Sequence, residues 1–404
     1  MTTSTSSPAV PAPTRATSRG FIAATISFVA VFAAGATPIP LYDSYGQVDG
    51  LTPDEFSLVA VAYFACAVFA LLVLGRLSNH HGRRPVSIAA LLVAMAGCVT
   101  LLFVHSFAVL LIGRALQGLA AGLASSAIGS YAVDTAAGRP RWLVATVATA
   151  ASTVGLAIGV FVSAVLVQFA PAPRELTYLL FAVLLVGCAI ALTTRPETVA
   201  RKGGALASLI PRLRVPAASR PYLPVAALIF VATWAFGGYF NSFGPSIAAE
   251  DLGSNNPLIA AAVFASYMAP SFLGGFAAGR FNAATAQRIG MTIVAVAGIG
   301  LAFASGSGLL ALFLLAGVIG GIGMGLATAG SMNTLLPEAK AAERAGLLAV
   351  IYAISYTGSA VPALIAGQLS RIISLPAITA GYALLASTVW IVTLVGARTP
   401  KTRN

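Results

Sequence analysis

Long apolar stretches alternate along this chain with short polar segments. One helix needs about 20 mostly apolar residues to cross the hydrocarbon core of a bilayer. The sequence contains twelve such stretches, at roughly 21–41, 55–75, 86–104, 109–132, 142–168, 176–194, 222–247, 257–278, 289–305, 309–334, 345–368 and 375–396. This pattern predicts an all-α membrane protein with twelve transmembrane helices.

The composition agrees with that prediction. Of the 404 residues, 58% are hydrophobic and only 8% are charged, whereas a soluble domain carries about 25% charged residues. The 40 glycines suit helices that pack closely in lipid, where small residues let backbones approach each other. The three cysteines, Cys66, Cys98 and Cys188, lie inside apolar stretches without the spacing of metal ligands, so no metal site is expected.

The basic residues indicate an orientation. The net charge is +12, but the Lys and Arg residues lie in short gaps between apolar stretches rather than on a polar domain, so a nucleic-acid partner is not expected. With the N-terminus in the cytoplasm, the cytoplasmic gaps hold all of the 23 Lys and Arg residues except Arg114, Arg174 and Arg371. Because cytoplasmic loops are enriched in Lys and Arg, both termini are predicted to be cytoplasmic, in a bacterial plasma (inner) membrane.

The longest basic gap divides the chain into two halves. The predicted order is a disordered cytoplasmic tail (1–19), a six-helix bundle (20–194), a cytoplasmic linker loop (195–221), a second six-helix bundle (222–397) and a cytoplasmic tail (398–404). One alternative stays open at the start. Basic residues, an apolar run and then Ala34-Gly35-Ala36 are also typical of a cleavable signal peptide.

The second half repeats the first. Residues Gly118–Ala124 align with Gly321–Ala327, and Arg141–Gly155 aligns with Arg344–Gly358, both at a shift of 203 positions. Two parallel six-helix pseudo-repeats follow from such a duplication, with a substrate site expected at their interface near the middle of the membrane.

The loop between the second and third stretches, Gly75-Arg-Leu-Ser-Asn-His-His-Gly-Arg-Arg-Pro85, resembles the signature loop of the major facilitator superfamily. The matching positions are Gly75, Leu77, Gly82, Arg83 and Arg84, while Asn79 stands where the family has an acid. The resemblance implies that Arg83 pairs with an acid near the inner end of the fourth helix, here Asp134, and latches the outward-facing state. Alternatively, the loop is a basic signal that only fixes topology.

Two further patterns carry the resemblance. Arg114-Ala-Leu-Gln117-Gly118 is similar to the family's fourth-helix pattern R-x-x-q-G. An arginine inside a membrane span marks a functional site, unless its side chain extends to the headgroups. Gly155 and Gly159 partly match a fifth-helix pattern associated with exporters, although Val160 replaces its proline and its trailing glycines are missing; Gly358 and Pro362 lie in the duplicated place. The resemblance extends to the family's drug:proton antiporter branch. These glycines equally suit ordinary helix packing.

Polar and aromatic residues within the spans are candidates for the transport path. Besides Arg114 and Gln117, they are Tyr63, Tyr239, Asn241, Tyr267, Asn333 and Tyr356. Such a cavity suits an uncharged or cationic amphipathic compound better than a sugar. Gly237-Gly238 on the seventh stretch is expected to interrupt that helix.

The energy source is inferred partly from absences in the sequence. No span has a carboxylate near its middle, so Asp43, at the end of the first stretch, is the leading candidate for proton coupling. No P-loop, zinc-ligand spacing or nucleophile motif occurs. We therefore expect neither an enzyme nor an ATP-driven pump, and no cofactor. The leading prediction is a monomeric, proton-gradient-driven exporter of a small amphipathic compound. An importer or facilitator of a metabolite, and a non-transporting membrane receptor or scaffold, remain the alternatives.

Overall fold

The computed structural model describes residues 15–136, 138–139, 141–210, 215–336 and 341–399. All regular secondary structure in these residues is helical. Twelve helices in this part of the chain are long and apolar enough to cross a membrane. Helices suit this environment because their backbone hydrogen bonds are made within one segment, away from water. The predicted fold class is confirmed.

We number the twelve long helices α1 to α12. They are α1 (Arg15–Ala36), α2 (Pro53–Phe69), α3 (Arg83–Leu101), α4 (Phe107–Asp134), α5 (Arg141–Phe169), α6 (Pro173–Thr193), α7 (Leu223–Ser246), α8 (Pro257–Met268), α9 (Ala283–Ser307), α10 (Leu310–Leu335), α11 (Ala341–Leu369) and α12 (Leu375–Gly396). Each overlaps one predicted span. Helices α9 and α10 are joined by only two residues, Gly308 and Leu309, and the φ of 68° at Gly308 is a left-handed conformation that favours glycine.

Several spans continue through short segments beyond the long helices. The first span continues through Ile39–Leu41 into the helix Tyr42–Asp49. The second and the seventh spans each continue through a π-helical turn, at Ala70–Leu74 and Ile247–Asp251 respectively. The eighth span continues through Ser271–Ala277 and Ala278–Arg280. The sequence-based boundaries therefore ended the first span about two turns too early.

Two other expectations about local structure were wrong. Residues 15–19, predicted within a disordered tail, belong to α1, while residues 1–14 and 400–404 of the predicted tails lie outside the described part of the chain. Gly237 and Gly238 do not interrupt α7, which runs unbroken to Ser246. Instead they allow α11 to approach, since a Cβ at Gly238 would lie 2.3 Å from the carbonyl oxygen of Ser359.

The helices pack in two similar groups of six. In the first group α1 packs on α4 and α5, and α3 packs on α4 and α6. In the second group α7 packs on α10 and α11, and α9 packs on α10 and α12. The same neighbours therefore recur at a shift of six helices, which agrees with the repeat seen in the sequence. The exact domain boundaries remain predictions.

Contacts between the two groups also come in related pairs. Helix α2 packs on α11, and α5 packs on α8, so each pair corresponds to the other under exchange of the halves. A hydrogen bond from Ser271 Oγ of the eighth span to Thr153 Oγ1 of α5, 3.2 Å long, lies at the second of these contacts. We call the two groups the first and second bundle.

The two ends of the molecule differ in charge. The loops after even-numbered helices form the basic end, and the loops after odd-numbered helices form the acidic end. At the acidic end, Arg174 forms a 2.8 Å ion pair with Asp49 and fastens the helix Tyr42–Asp49 to α6. Arg371 pairs with Asp54 and so joins α2 to the segment after α11. Both basic residues expected outside the cytoplasm thus have acidic partners; the orientation itself stays a prediction.

Candidate transport site

Arg114 lies on α4 about two turns from the acidic end, and its side chain is fully buried, with 0% exposure. Gly118, one turn along, lets α2 approach closely, because a Cβ there would lie 2.1 Å from the carbonyl oxygen of Tyr63. This packing places the Tyr63 ring over the guanidinium, with 4.5 Å between Arg114 Cζ and the ring centroid. The ring face stabilises the cation.

The end of α1 supplies acceptors for this group. The carbonyl of Ala34 accepts 2.8 Å hydrogen bonds from both Thr37 Oγ1 and Gln117 Nε2, while Pro38, one turn on, has no N–H to donate to it. Arg114 Nη1 donates to the carbonyl of Gly35 and, at 3.0 Å, to Gln117 Oε1. The C-terminal end of a helix carries a partial negative charge, so α1 partly compensates the buried cation.

The same guanidinium reaches the second bundle. Arg114 Nη2 donates to Oδ1 of Asn241 on α7 over 3.4 Å, near the upper limit for a hydrogen bond. Asn241 is itself buried, with 4% of its surface exposed. Arg114 Nε has no hydrogen-bond partner among the described residues. Arg114 therefore lies between the bundles with one edge of its guanidinium weakly bonded.

Aromatic side chains extend from Arg114 along the interface. The Tyr63 ring contacts Phe64 with 5.3 Å between centroids, and Phe64 lies 6.1 Å from Tyr356 of α11. Tyr356 contacts Trp234 of α7 at 5.3 Å and Tyr352 at 6.4 Å. Tyr63 and Tyr356 are buried, whereas Trp234 and Tyr352 remain partly exposed. An apolar wall therefore runs from the buried cation toward more accessible rings.

No acid offsets the charge of Arg114 in the described residues. The ion pairs found there are Arg83–Asp134, Arg174–Asp49 and Arg371–Asp54. The hydrogen bonds of Arg114 all go to neutral acceptors. Burying a charge without a partner of opposite charge is costly, so this arrangement points to a functional role rather than a stabilising one.

Other predicted path residues lie inside the second bundle. The Tyr239 hydroxyl is 2.6 Å from Thr379 Oγ1, and the Tyr267 hydroxyl donates to the carbonyl of Thr233 at 3.0 Å. Both hydroxyls thus have partners within their own bundle. Asn333 is exposed near the end of α10. The structure therefore groups five of the predicted path residues: Arg114, Gln117, Tyr63, Asn241 and Tyr356. Tyr239, Tyr267 and Asn333 do not belong to this group.

Asp43 occupies an exposed place on the short helix Tyr42–Asp49 at the acidic end. It accepts a 2.9 Å hydrogen bond from Gln47 Nε2. A carboxylate that couples proton movement is usually shielded from water, and this one is not. The position of Asp43 therefore argues against the predicted coupling role.

The predicted latch residues gather at the basic end. Arg83, at the start of α3, donates from Nε to Asp134 Oδ2 at 3.3 Å and from Nη1 to Ser78 Oγ at 2.8 Å. Arg84 Nη1 donates at 2.8 Å to the carbonyl of Arg195 beyond α6. Gly75 ends the π-helical turn of the second span, and Asn79 is half-buried on Ser78–His81. All of these contacts lie within the first bundle.

One residue of this cluster, Glu197, was missed by the sequence analysis. Its carboxylate accepts from the backbone N–H groups of Arg83 at 2.8 Å and Arg84 at 3.1 Å. Gly82 precedes them with a φ of 102°, and a Cβ there would lie 2.5 Å from Glu197 Oε2. A helix that begins after Gly, without a Ser, Thr, Asp or Asn cap, needs another acceptor. That missing cap was the signal available in the sequence.

The predicted packing residues lie at helix crossings. A Cβ at Gly155 would lie 2.7 Å from the carbonyl oxygen of Val29, and one at Gly159 would lie 2.0 Å from that of Ala33. In the second bundle, a Cβ at Gly358 would lie 2.7 Å from Val231 Cα. Helix α5 thus meets α1 as α11 meets α7. Pro362 lies inside α11.

Comparison with known proteins places the chain in a family. The sequence profile of the Major Facilitator Superfamily matches residues 20–364. The chain therefore belongs to this superfamily of membrane transporters. No curated protein matches it significantly in sequence.

A solved structure shows the same fold. A crystal structure of a D-xylose-proton symporter superposes with a TM-score of 0.75, covering 96% of this chain and 100% of the symporter at 15% sequence identity. At that identity the likeness concerns the fold alone. The drug:proton antiporter branch suggested by the motifs is not confirmed.

Proposed function

We propose that this protein is a secondary active transporter that moves a small amphipathic molecule by alternating access. The observation that carries the proposal is the position of Arg114. This buried cation donates hydrogen bonds to both bundles and has no acidic partner in the described residues. Charged residues within membrane spans are costly and mark substrate or ion pathways. The adjacent aromatic wall suits the apolar part of an amphipathic substrate.

Opening of the acidic end requires α2 and α11 to separate there. The Asp54–Arg371 ion pair would then break. So would the contact of Gly367 with Ser57, where a Cβ would lie 2.5 Å from Ser57 Oγ. The Arg114–Asn241 hydrogen bond also lies between the bundles and would be lost. The ion pair is partly exposed, whereas Ser57, Arg114 and Asn241 are buried. An exposed ion pair contributes only about 0–1 kcal/mol.

The basic end carries the proposed latch. Arg83 contacts Asp134 on one side, while Glu197 caps the start of α3 on the other. We propose that this cluster holds the loop Gly75–Pro85 rigid so that the first bundle moves as one body. In this proposal the basic end faces the cytoplasm of a bacterial plasma membrane, as the distribution of Lys and Arg predicts.

We propose export as the direction and the electrochemical proton gradient as the drive. The fifth-helix glycines resemble an exporter pattern, and the sequence lacks a nucleotide-binding motif. The structural similarity to a symporter shows the fold only and does not favour import. A coupling residue is not assigned, because Asp43 is exposed and the other described acids lie near helix ends or in loops.

Compound accumulation in cells tests the proposal. Cells that overproduce the protein should accumulate less of at least one amphipathic compound than cells that produce Arg114→Ala at the same level. Dissipating the proton gradient should abolish the difference. Gradient-driven uptake into the cells would instead show an importer. Equal accumulation in both strains across a broad panel would favour a receptor or scaffold.

A further inference from the structure

The unoccupied edge of Arg114 points to the charge of the substrate. A guanidinium has two edges that can bond a planar oxyanion. One is formed by Nη1 and Nη2, and the other by Nε and Nη2. Nη1 is already used by Gly35 and Gln117. Nε has no hydrogen-bond partner among the described residues, and Nη2 has only the 3.4 Å contact with Asn241. The Nε–Nη2 edge therefore has no strong hydrogen-bond partner among the described residues, although the side chain is fully buried in this conformation.

A carboxylate fits this edge. Arginine and a carboxylate form two parallel N–H···O hydrogen bonds, which are shorter and stronger than bonds between neutral groups. Such a ligand would replace the weak contact with Asn241 and supply the negative charge that the surrounding residues lack. A cation would instead meet a buried positive charge at this place.

A second polar group near Arg114 also lacks a partner. The Tyr42 side chain is 98% buried, and its hydroxyl has no hydrogen-bond partner among the described residues. Tyr42 is close enough to Arg114 for an electrostatic interaction between them. Buried hydroxyls are normally hydrogen-bonded. Two buried donors without a partner among the described residues, Arg114 Nε–H and Tyr42 O–H, therefore lie in the same region of the protein.

We infer that the substrate is a small organic anion, a carboxylate with an apolar or aromatic body. Its carboxylate binds the Nε–Nη2 edge of Arg114, and its body lies along Tyr63, Phe64 and Tyr356. This inference rests on the proposed transport function and replaces the uncharged or cationic compound that the sequence favoured. The aromatic side chains are the reason why the sequence favoured an uncharged or cationic compound. The absence of an acid beside Arg114 among the described residues is the reason for inferring a negatively charged substrate instead.

The inferred charge also bears on the energy source. Bacterial plasma membranes are negative inside, so an anion that leaves the cytoplasm moves in its electrically favourable direction. Export of an anion can therefore draw on the membrane potential without a protonatable carboxylate in the middle of a span. The absence of such a carboxylate from the sequence is consistent with this drive.

Binding to the purified full-length protein tests the inference separately from transport. The probes are three compounds of similar size: phenylacetate, its neutral amide phenylacetamide and the cation phenethylamine. Binding is measured from the shift in thermal unfolding and from tryptophan fluorescence. We expect phenylacetate to bind at least ten-fold more tightly than the amide, and the amine to bind more weakly still. Equal or tighter binding of the amide or the amine, or absence of phenylacetate binding, would overturn the inference.

Two variants test the part played by Arg114. Arg114→Gln should weaken phenylacetate binding at least ten-fold, with Arg288→Gln as a control that removes an arginine elsewhere. Since Arg114→Gln could fail to fold, Asn241→Asp provides a second test. It places a fixed carboxylate beside Nη2, so it should keep the fold and lose the preference for the acid. Undiminished phenylacetate binding by a folded Asn241→Asp protein would contradict the proposed site. Phenylacetate binding without transport of any compound would instead remove the transport proposal and leave the anion site intact.

Discussion

Arg114 and Asn241 lie 127 positions apart in different bundles, and the Arg114 guanidinium donates a 3.4 Å hydrogen bond to the Asn241 side chain. Both residues are buried where the two halves of the molecule meet. A group that binds a substrate at this place also contributes to closing the interface. Substrate bound to Arg114 would therefore compete with the Arg114–Asn241 hydrogen bond between the bundles. This competition couples binding of the substrate to the relative position of the two bundles.

The latch prediction concerns Arg83. If its contacts with Asp134 and Ser78 hold the loop for transport, Arg83→Ala should reduce transport about ten-fold or more, because hydrogen bonds to charged groups contribute roughly 1.5–3 kcal/mol. The amount of protein in the membrane should not change. Arg76→Ala, on the same loop, is the matched control. Equal, normal transport by both variants would show that the loop acts only as a topology signal.

The orientation can be measured by labelling single cysteines. In a variant without Cys66, Cys98 and Cys188, Val48→Cys at the acidic end should react with an impermeant thiol reagent in intact cells. Ala207→Cys at the basic end should react only after the membrane is permeabilised. Both positions are exposed, so accessibility does not limit either reaction. Labelling of Ala207→Cys in intact cells would reverse the proposed orientation.

Much of the fold could be predicted from the sequence because lipid imposes one strong condition. Each span must be a long apolar helix, so the twelve stretches located α1 to α12. The repeat likewise predicted equivalent packing, such as Gly155 on Val29 and Gly358 on Val231. The short helix Tyr42–Asp49 was missed because its polar sequence lacks the apolar signal that identifies a span.

The site was less predictable, because it depends on contacts between distant residues. Arg114 and Gln117 stand out as polar residues in an apolar helix, but the end of α1 that binds them is visible only in the structure. Glu197 lies in a polar loop where an acid is ordinary, and its role as a cap depends on the packing of α3 against α6. Similarly, the sequence placed Asp43 beside a span and could not show that its side chain is exposed.

The packing of α5 against α1 gives a prediction about stability. Gly159→Ala should destabilise the protein by about 1–3 kcal/mol, as overpacking does, because the new Cβ would lie 2.0 Å from the Ala33 carbonyl oxygen. Gly187→Ala is the control, since a Cβ there would have no neighbour within 4 Å. Thermal unfolding in detergent measures both. An unchanged midpoint for Gly159→Ala would show that α1 and α5 are further apart than described.

The exposure of Asp43 predicts that it is not the coupling residue. Asp43→Asn should keep both its transport rate and the dependence of that rate on the proton gradient, because the side chain contacts water and Gln47 rather than the interface. Transport into everted vesicles, with and without a protonophore, checks this. Loss of the protonophore effect in Asp43→Asn would restore Asp43 as the coupling group.

The central claim is that Arg114 serves transport at the interface of the bundles, and flux through the purified protein tests it most directly. Wild type, Arg114→Lys and Arg114→Ala would be reconstituted at equal density in liposomes, and uptake of radiolabelled phenylacetate would be followed under an imposed proton gradient and membrane potential. We expect rapid uptake by wild type and partial activity in Arg114→Lys, because an ammonium cannot reproduce the two-bond edge of the guanidinium. We expect Arg114→Ala to be about 10- to 100-fold slower, which corresponds to the loss of one hydrogen bond to a charged group. Equal uptake by all three proteins would contradict the account.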